Sequence, residues 1–576
     1  MKRYQNYING AWVAPVSGQE IESENPYSRK IWATIARSGP EDVERAVQAA
    51  SAAFEDGPWS KLSASARGKL LWRMGDLLEA NVERLALMET SDNGRTLSDM
   101  RGIVSYLADY FRYFAGLADK IEGAVPPLEK PDYFNYTRHE PYGVVAAITP
   151  WNSPLLLVVW KLAPGLAAGN TFVLKPHEVA SVGTLELAAL FGEAGFPPGV
   201  VNVVTGTGAE VGEPLVSHPK VRKIAFTGGD LAGRAIYQTA ARDFKPVTLE
   251  LGGKSPNIVF DDANLENAAK GSVLGMFNTS GQACIACSRV LVQESIYDAF
   301  VEKLIAHTAQ ARLGDPTDQA TEMGPMGCRQ HFEKVMSYLD IAREEGARVL
   351  LGGAAAKRPG LENGYFIEPT ILGDVDNTMR VAREEIFGPI MSVIRFKDEE
   401  DAVRIANDTA YGLGAGVWTE NMRRAIRVAH RLEAGSVYVN SYRVVSYMSP
   451  FGGYKHSEHI TGVAFEVFKI KMQFKIPNDL DDDFTQRIAR RVVGAVGGPC
   501  GRLLVFDVFG ADGRPHKNKV VLKIAAVQNF CGDRIEKRFR QLGLVVIDQQ
   551  PDVMQLDLLP HVHRLLTGLE LAFQTR

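Results

Sequence analysis

The chain has 576 residues, 45% apolar, 23% charged and 9% aromatic, and its 64 basic and 68 acidic residues leave a formal net charge of −4. An apolar share this high excludes a disordered or fibrous chain, and roughly 100–200 residues per domain sets an expectation of about three or four compact units. The near-neutral balance excludes a general nucleic-acid binder as the simple reading.

In chain order, the opening Met1–Tyr7 has no apolar core of a secretory signal. From Gly39 to about Asp119 the pattern is helical. Pro40, Glu41 and Asp42 suit a first turn, and Val43, Ala46, Val47, Ala50 and Ala53 form one stripe. A second helix opens at Ser63, with Leu70, Leu71, Met74 and Leu77 apolar. The most apolar stretch, Pro154–Gly169, is broken by Lys161 and falls short of the about 20 residues of a membrane span. The expectation is a soluble, cytoplasmic protein with neither membrane nor nucleic acid as partner.

Between Val144 and Phe260 six β-rich runs alternate with helical stretches: Val144–Ile148, Thr171–Leu174, Val200–Val204, Lys223–Phe226, Val247–Leu251 and Asn257–Phe260. They are near-continuous apolar runs, as in parallel strands buried on both faces. The predicted fold class is α/β with a doubly wound sheet, whose ligand sits beyond the strands' carboxyl ends. Gly206–Gly212 approaches the dinucleotide fingerprint but sets its third glycine one residue late, so a plain tight turn is an equal reading. Phe226–Gly233 follows a strand and opens a helix, where backbone N–H groups can face a pyrophosphate. A second mixed segment, Ala263–Phe451, includes strands at Arg289–Val292, Met391–Arg395 and Ser436–Val439. Tyr133–Thr137 and Phe465–Ile476 differ from both. In the latter, apolar residues alternate with Lys469, Lys471, Gln473 and Lys475, the mark of a half-buried strand or an intersubunit edge.

Five cysteines make no disulfide framework and leave at least one thiol free. Cys328, Cys500 and Cys531 are isolated, whereas Cys284 and Cys287 share the run Gly281-Gln282-Ala283-Cys284-Ile285-Ala286-Cys287. A thiol in such a turn is open to activation by N–H dipoles, although a lone cysteine is more often inert core. Glu250 sits inside the apolar run Val247–Leu251, where a carboxylate is costly without a task and desolvation suits it to general-base work. Asn152 follows the first strand, placed to donate to an oxyanion. Lys175 and Glu178 follow the second, a donor and an acceptor spaced for a ribose diol. The bland readings are an ordinary turn and a surface ion pair.

Together these segments resemble the NAD(P)-dependent aldehyde dehydrogenase superfamily over about Tyr7 to Ser457. The likeness rests on Leu249–Lys254, on Gly281-Gln282-Ala283-Cys284, on Pro150-Trp151-Asn152, on Glu384–Pro389 and on Pro450–Lys455. It implies a Rossmann-type cofactor domain at 1–122 and 142–252 and an α/β catalytic domain at 253–452. An oligomerisation arm at 123–141 and 465–477 would assemble a homodimer or homotetramer. It further implies Cys284 as nucleophile, Glu250 as general base, and Asn152 with the Cys284 N–H as oxyanion hole. Thr149, Trp151, Lys175, Glu178, Gly228, Gly229, Gly233, Leu251, Glu385 and Phe387 would hold the cofactor. Ser153, Leu156, Trp160, Asn278, Ile285, Arg443 and Val445 would line the aldehyde tunnel. Trp160 and the aliphatics equally suit core packing, and Arg443 at the tunnel mouth could meet a carboxylate or face solvent, with solvent the preferred expectation.

The implied reaction is oxidation of a small aldehyde to the acid through a cysteine thioester, with NAD as cofactor. Glu178 facing the 2′-hydroxyl disfavours NADP. Glu250 favours hydrolysis, since relatives that acylate coenzyme A lack this base. No metal is expected. Two other readings stand beside this one: a CxxC thiol–disulfide protein, in which Cys287 would trap oxidised Cys284, and an inactive protein of the same fold. The chain departs from the family pattern at Gly229, where a serine is usual, and again after Ser457. Residues 478–576 form an extension with an acid run at Asp481–Asp483, basic Arg487, Arg490 and Arg491, and apolar segments Leu503–Val508 and Leu542–Ile547. It reads as an appended domain, a tail, or the product of a reading-frame change near Ser457.

Overall fold

A computed structural model describes residues 1–130, 132–459 and 468–472, together with strands at 505–509, 521–525, 545–550 and 553–557; side chains are described as far as residue 457. The chain divides into two compact units, Met1–Val125 with Thr137–Met472, and Pro126–Tyr136 with Gln473–Arg576.

The first unit is built on two large sheets. One runs in the order Glu458–His459, Val247–Glu250, Val221–Thr227, Val144–Thr149, Thr171–Pro176, Val201–Val203, Asn6–Ile8, Ala11–Val13. Its five central strands are parallel. Val144–Thr149, the earliest of them in the chain, lies in the middle, and its successors spread first to one side and then to the other. That order creates a switch point between Val144–Thr149 and Val221–Thr227, where the loops part and leave a crevice. Both faces of the central strands are covered, and Val144–Thr149 and Thr171–Pro176 are buried at every residue. The continuous apolar runs follow from that double burial. The helix Pro154–Ala167, broken in sequence by Lys161, is buried almost all round. Among the described residues no helix is long and apolar enough to cross a membrane.

The second large sheet runs Arg348–Leu351, Thr370–Gly373, Ile390–Phe396, Arg289–Gln293, Pro256–Val259, Gly414–Trp418, Ser436–Val439, parallel except at its first pair. Consecutive strands Val247–Glu250 and Pro256–Val259 therefore belong to different sheets, and the link Leu251–Ser255 carries the chain between them. Arg289 fixes this junction. It is fully buried, and donates from Nε to the Lys254 carbonyl (3.0 Å), from Nη1 to Asn377 Oδ1 and the Ile405 carbonyl (both 2.9 Å), and from Nη2 to the Ala406 carbonyl (2.8 Å).

Two sequence expectations change. The segment near Tyr133–Thr137 forms a strand only from Thr137, because the Thr137 N–H is taken by the Ala124 carbonyl at 2.7 Å; Thr137–Pro141 then pairs antiparallel with Phe468–Met472. Gly206–Gly212 is a turn closed on itself: Thr207 Oγ1 accepts the Glu210 N–H at 3.2 Å, and Arg37 pairs with the Glu210 carboxylate at 2.7 Å. The second unit carries an antiparallel sheet in the order Val505–Phe509, Val521–Ala525, Val553–Asp557, Val545–Gln550, two of whose strands fall in the apolar segments singled out in sequence. The acid run Asp481–Asp483, Arg487, Arg490, Arg491, Cys500 and Cys531 lie outside the described residues.

Arg289→Met removes donors from four buried acceptors, and each acceptor left bare costs about 1–3 kcal/mol. Thermal denaturation of the variant is expected to show a melting temperature several degrees below that of the parent chain; an unchanged value would mean that the junction does not depend on this side chain.

Candidate active site

The link between the sheets packs against the loop that bears Cys284 with no space for side chains. A Cβ on Gly253 would collide with the Cys284 carbonyl oxygen, and one on Gly252 would sit 2.5 Å from Glu385 Oε2. Gly281, two residues beyond Thr279, has φ +72, and a Cβ there would strike the Gly388 carbonyl. Backbone contact thus requires glycine at 253, and contact and conformation together require it at 281, whereas at 252 the neighbour is the movable carboxylate end of Glu385. Ser457 ties the link from the other side: its carbonyl accepts the Leu251 N–H (2.8 Å), and its hydroxyl donates to the Gly252 carbonyl (2.6 Å) and accepts the Gly412 N–H (2.9 Å).

Cys284 is partly exposed, whereas Cys287 is fully buried and its thiol donates to the Ser272 carbonyl at 3.3 Å. The surroundings of Cys284 act against the thiolate. Burial pushes its thiol up to about 12, and the charges of Glu385 and Glu250 add to the effect; Arg443 and the Ile285 N–H oppose it. Asn152, 9% exposed, donates from Nδ2 to the Gln282 carbonyl at 2.9 Å, which places its amide against the cysteine loop.

Glu250 is 4% exposed and ends its strand opposite Thr227. Its backbone carbonyl accepts the Gly228 N–H at 3.1 Å. Lys161 Nζ reaches Thr227 Oγ1 at 2.5 Å, and burial pulls this lysine down to about 8, with the charge of Glu250 opposing. The interrupting charge in the apolar helix is therefore part of the site, which sequence reading missed. Glu385 accepts the Gly253 N–H at 2.9 Å, and burial pushes it up to about 7.

The expected cofactor residues line the crevice edge. Lys175 Nζ pairs with Glu178 Oε2 at 2.9 Å. Burial would raise Glu178, but His177 and Lys175 hold it below its ordinary value. Gly229 is the exposed N-cap of the helix Asp230–Ala241, with no side-chain cap, and Gly233 is buried within it. The Thr149 hydroxyl is buried with no partner among the described residues. Trp151 packs against His331 (ring centroids 4.9 Å) and Phe387 (5.7 Å), and His331 Nε2 bonds the Phe387 carbonyl at 2.6 Å. No sequence motif marked His331.

The tunnel residues separate into groups. Trp160 stacks on Tyr110 (6.3 Å) and meets Phe451 edge-on (4.9 Å), while Leu156 and Val445 pack on the same core. Ile285 is buried beside Cys284, and Asn278 is exposed at the end of the helix Leu265–Phe277. Ser153 is held by Arg95, which also bonds Asp99 from Nε at 3.0 Å. Arg95 is a second residue that sequence reading missed. Arg443 does not stand wholly in solvent as expected: it is half-buried, and its Nη1 is enclosed with no hydrogen-bond partner among the described residues. Among the described residues no cluster of His, Cys, Asp and Glu is set to hold a metal.

Comparison with known proteins agrees with this geometry. The sequence profile described as "Aldehyde dehydrogenase family" matches residues 12–471. An aldehyde dehydrogenase of Emericella nidulans is 45% identical over 78% of this chain and 90% of its own length. The human mitochondrial aldehyde dehydrogenase is 45% identical over 79% of this chain and 87% of its own. The crystal structure of betaine aldehyde dehydrogenase from Staphylococcus aureus in complex with NAD+ superposes with TM-score 0.81 and 39% identity, over 83% of this chain and 96% of that one.

Gly253→Ala forces the cysteine loop away from the link. Misplacement of reacting groups by about 1 Å costs on the order of 100-fold in rate, so the variant is expected to lose at least that much NADH formation while its circular dichroism stays native. Full activity would show that the loop yields freely.

Proposed function

We propose that this chain, which belongs to the aldehyde dehydrogenase family, oxidises aldehydes to carboxylic acids with NAD, and that Cys284, Glu250 and Asn152 carry out the chemistry. The observation that carries the reading is that the link leaving the Glu250 strand packs, through Gly253, directly on the backbone of the Cys284 loop. Cys287, enclosed and bonded to Ser272, supports a structural thiol over the CxxC redox alternative.

The residues present fit a dinucleotide. The bare N-terminus of Asp230–Ala241 behind Gly228 and Gly229 suits a pyrophosphate, with Gly233 allowing close approach. The buried Thr149 hydroxyl lies free at the strand end beside it. Lys175 and Glu178 would hold the adenosine ribose, the Glu178 carboxylate disfavouring a 2′-phosphate. Leu251 would reach the carboxamide through its backbone, Glu385 the nicotinamide ribose, and Phe387 and Trp151 would wall the ring. When bound, NAD supplies the acceptor for the hydride.

The steps of the chain itself follow. Cys284 loses its proton and its sulfur adds to the aldehyde carbon, converting the carbonyl to an alkoxide. The Asn152 amide and the Cys284 N–H stabilise that oxygen. Departure of the hydride re-forms the carbonyl as a thioester on Cys284. Glu250 then takes a proton from water, the hydroxide oxygen bonds the acyl carbon, and the C–S bond breaks to release the acid and the Cys284 thiolate. The Thr227–Lys161 contact borders this step and lets the Glu250 charge be balanced. The ribbon Thr137–Pro141 with Phe468–Met472 belongs to neither large sheet. An isolated two-stranded ribbon is marginal in water, which supports its reading as the arm through which copies of the chain assemble as a dimer or tetramer. In domain terms, 1–122 with 142–252 would bind the cofactor and 253–452 would supply the nucleophile.

Two experiments test the reading. Cys284→Ala is expected to form no NADH. Glu250→Gln is expected to release a burst of NADH equal to the active sites and then turn over about 100-fold to 10,000-fold more slowly, the usual range for a lost general base; near-normal steady turnover would exclude Glu250 from that role. Glu385, with its pKa near 7, must be ionised to accept ribose hydroxyls. The KM for NAD is therefore expected to climb as pH falls below 7, approaching about tenfold per pH unit once the carboxylate is mostly neutral. Glu385→Gln should give a higher and flat profile, and a flat profile in the parent chain would count against the assignment.

A further inference from the structure

Arg443 is a cation without a counter-charge. Its Nη1 is buried with no hydrogen-bond partner among the described residues. Asp99, a carboxylate whose charge reaches it, is already held by Arg95 at 3.0 Å. Arg95 itself adds repulsion, and burial together with that repulsion opposes the Arg443 charge. A guanidinium enclosed in this way is costly unless an anion or acceptor meets it.

Its placement is directed. Arg443 has φ +62, and Asn440, three residues earlier, has φ +49, both in the region that non-glycine residues enter at a cost. Tyr442, the residue before it, packs on the buried cluster that holds Cys287, so this loop lies against the cysteine loop, and the charge of Arg443 acts on both of its thiols. Two and four residues on, Val445 and Tyr447 pack into the apolar cluster of Trp160. Tyr447 meets Tyr106 (5.4 Å) and Tyr113 (5.2 Å), and its N–H donates to the Tyr106 hydroxyl at 2.6 Å. One short loop thus joins an apolar aromatic wall to an enclosed guanidinium nitrogen that has no partner among the described residues.

We infer that Arg443 is the specificity determinant for aldehydes whose far end carries a carboxylate, the carbon chain lying on the aromatic wall and the carboxylate meeting the guanidinium. This rests on the aldehyde-oxidising reading of Cys284 and deepens it. Arginine matches a carboxylate through paired N–H bonds, and a site with a buried donor discriminates against the analogue that leaves the donor bare.

The test compares matched aldehydes on the purified full chain with NAD: butanal with 4-oxobutanoate, hexanal with 6-oxohexanoate, and benzaldehyde with 4-formylbenzoate. In at least one pair the anionic member is expected to have kcat/KM about 30-fold higher, with the difference mostly in KM. In Arg443→Gln that ratio should fall to within about threefold of unity, and Arg443→Lys should retain an intermediate ratio. Ratios near or below unity in the parent chain for all three pairs overturn the inference, as does a high ratio undiminished in Arg443→Gln. If Arg443→Gln does not fold, inhibition of the parent chain decides: dicarboxylates such as butanedioate should bind at least tenfold more tightly than butanoate, and equal inhibition overturns the inference. Turnover of the neutral series without anionic preference refutes this inference alone, whereas absence of NADH from both series refutes the aldehyde-oxidising reading and this one with it.

Discussion

The site exists because two mainly parallel sheets are joined by a link whose Gly253 packs backbone against backbone on the Cys284 loop. The chain leaves the first sheet at Glu250 and enters the second at Pro256, and within that span Gly252 and Gly253 lie against Glu385 and the Cys284 loop. Parallel sheets open their crevices at the strands' carboxyl ends. The link brings the end of one sheet to a loop that precedes a strand of the other, Arg289–Gln293. The Glu250 strand and the Cys284 loop are thereby held together by backbone packing. Arg289 and Ser457 brace the link from opposite sides with bonds to its carbonyls and N–H groups.

Such a junction forces charge into the interior, and the chain meets the cost in different ways. Arg289 keeps its proton by donating to four acceptors, although burial draws it down to about 10. Glu89 and Asp92 lie on the helix Val82–Asn93, and their carboxylates accept the Leu155 N–H (3.3 Å) and the Val182 N–H (2.8 Å) at the starts of two buried helices. Helix N-termini favour negative charge, yet burial still raises these acids to about 8 and about 7. Lys254 has no partner for Nζ among the described residues and is pushed down to about 7. Where hydrogen bonds are plentiful the charge survives; where they are few the proton equilibrium moves toward neutrality.

Much of the first unit was legible in sequence for a simple reason. Strands covered on both faces must be apolar throughout, so the runs from Val144 to Phe260 stand out, and the residues just past their ends mark the crevice. Asn152, Lys175, Glu250 and the turn at Gly228 were singled out by that logic, and the family resemblance added Glu385 to the candidate set beside Cys284. Less legible was whatever depends on distant partners. Arg95 meets Ser153 across 58 positions, and His331 meets Phe387 across 56; neither pattern is local. Gly206–Gly212 has the composition of a phosphate loop but spends its donors on Thr207 and Glu210. Arg443 looked exposed because a charged residue in a loop usually is. The positive φ that turns its loop inward has no sequence signal at a residue other than glycine or asparagine.

The Cys284 thiol illustrates how these levels combine. A loop position alone argues for activation by N–H dipoles, but the same packing that brings Glu250 and Glu385 close also removes water and adds two negative charges. Both act in the same direction, and the single Ile285 N–H and the Arg443 charge do not outweigh them. The chain's own charges and packing therefore favour the protonated thiol. Any positive charge introduced beside Cys284, or any proton taken up by the two carboxylates, shifts the balance toward thiolate.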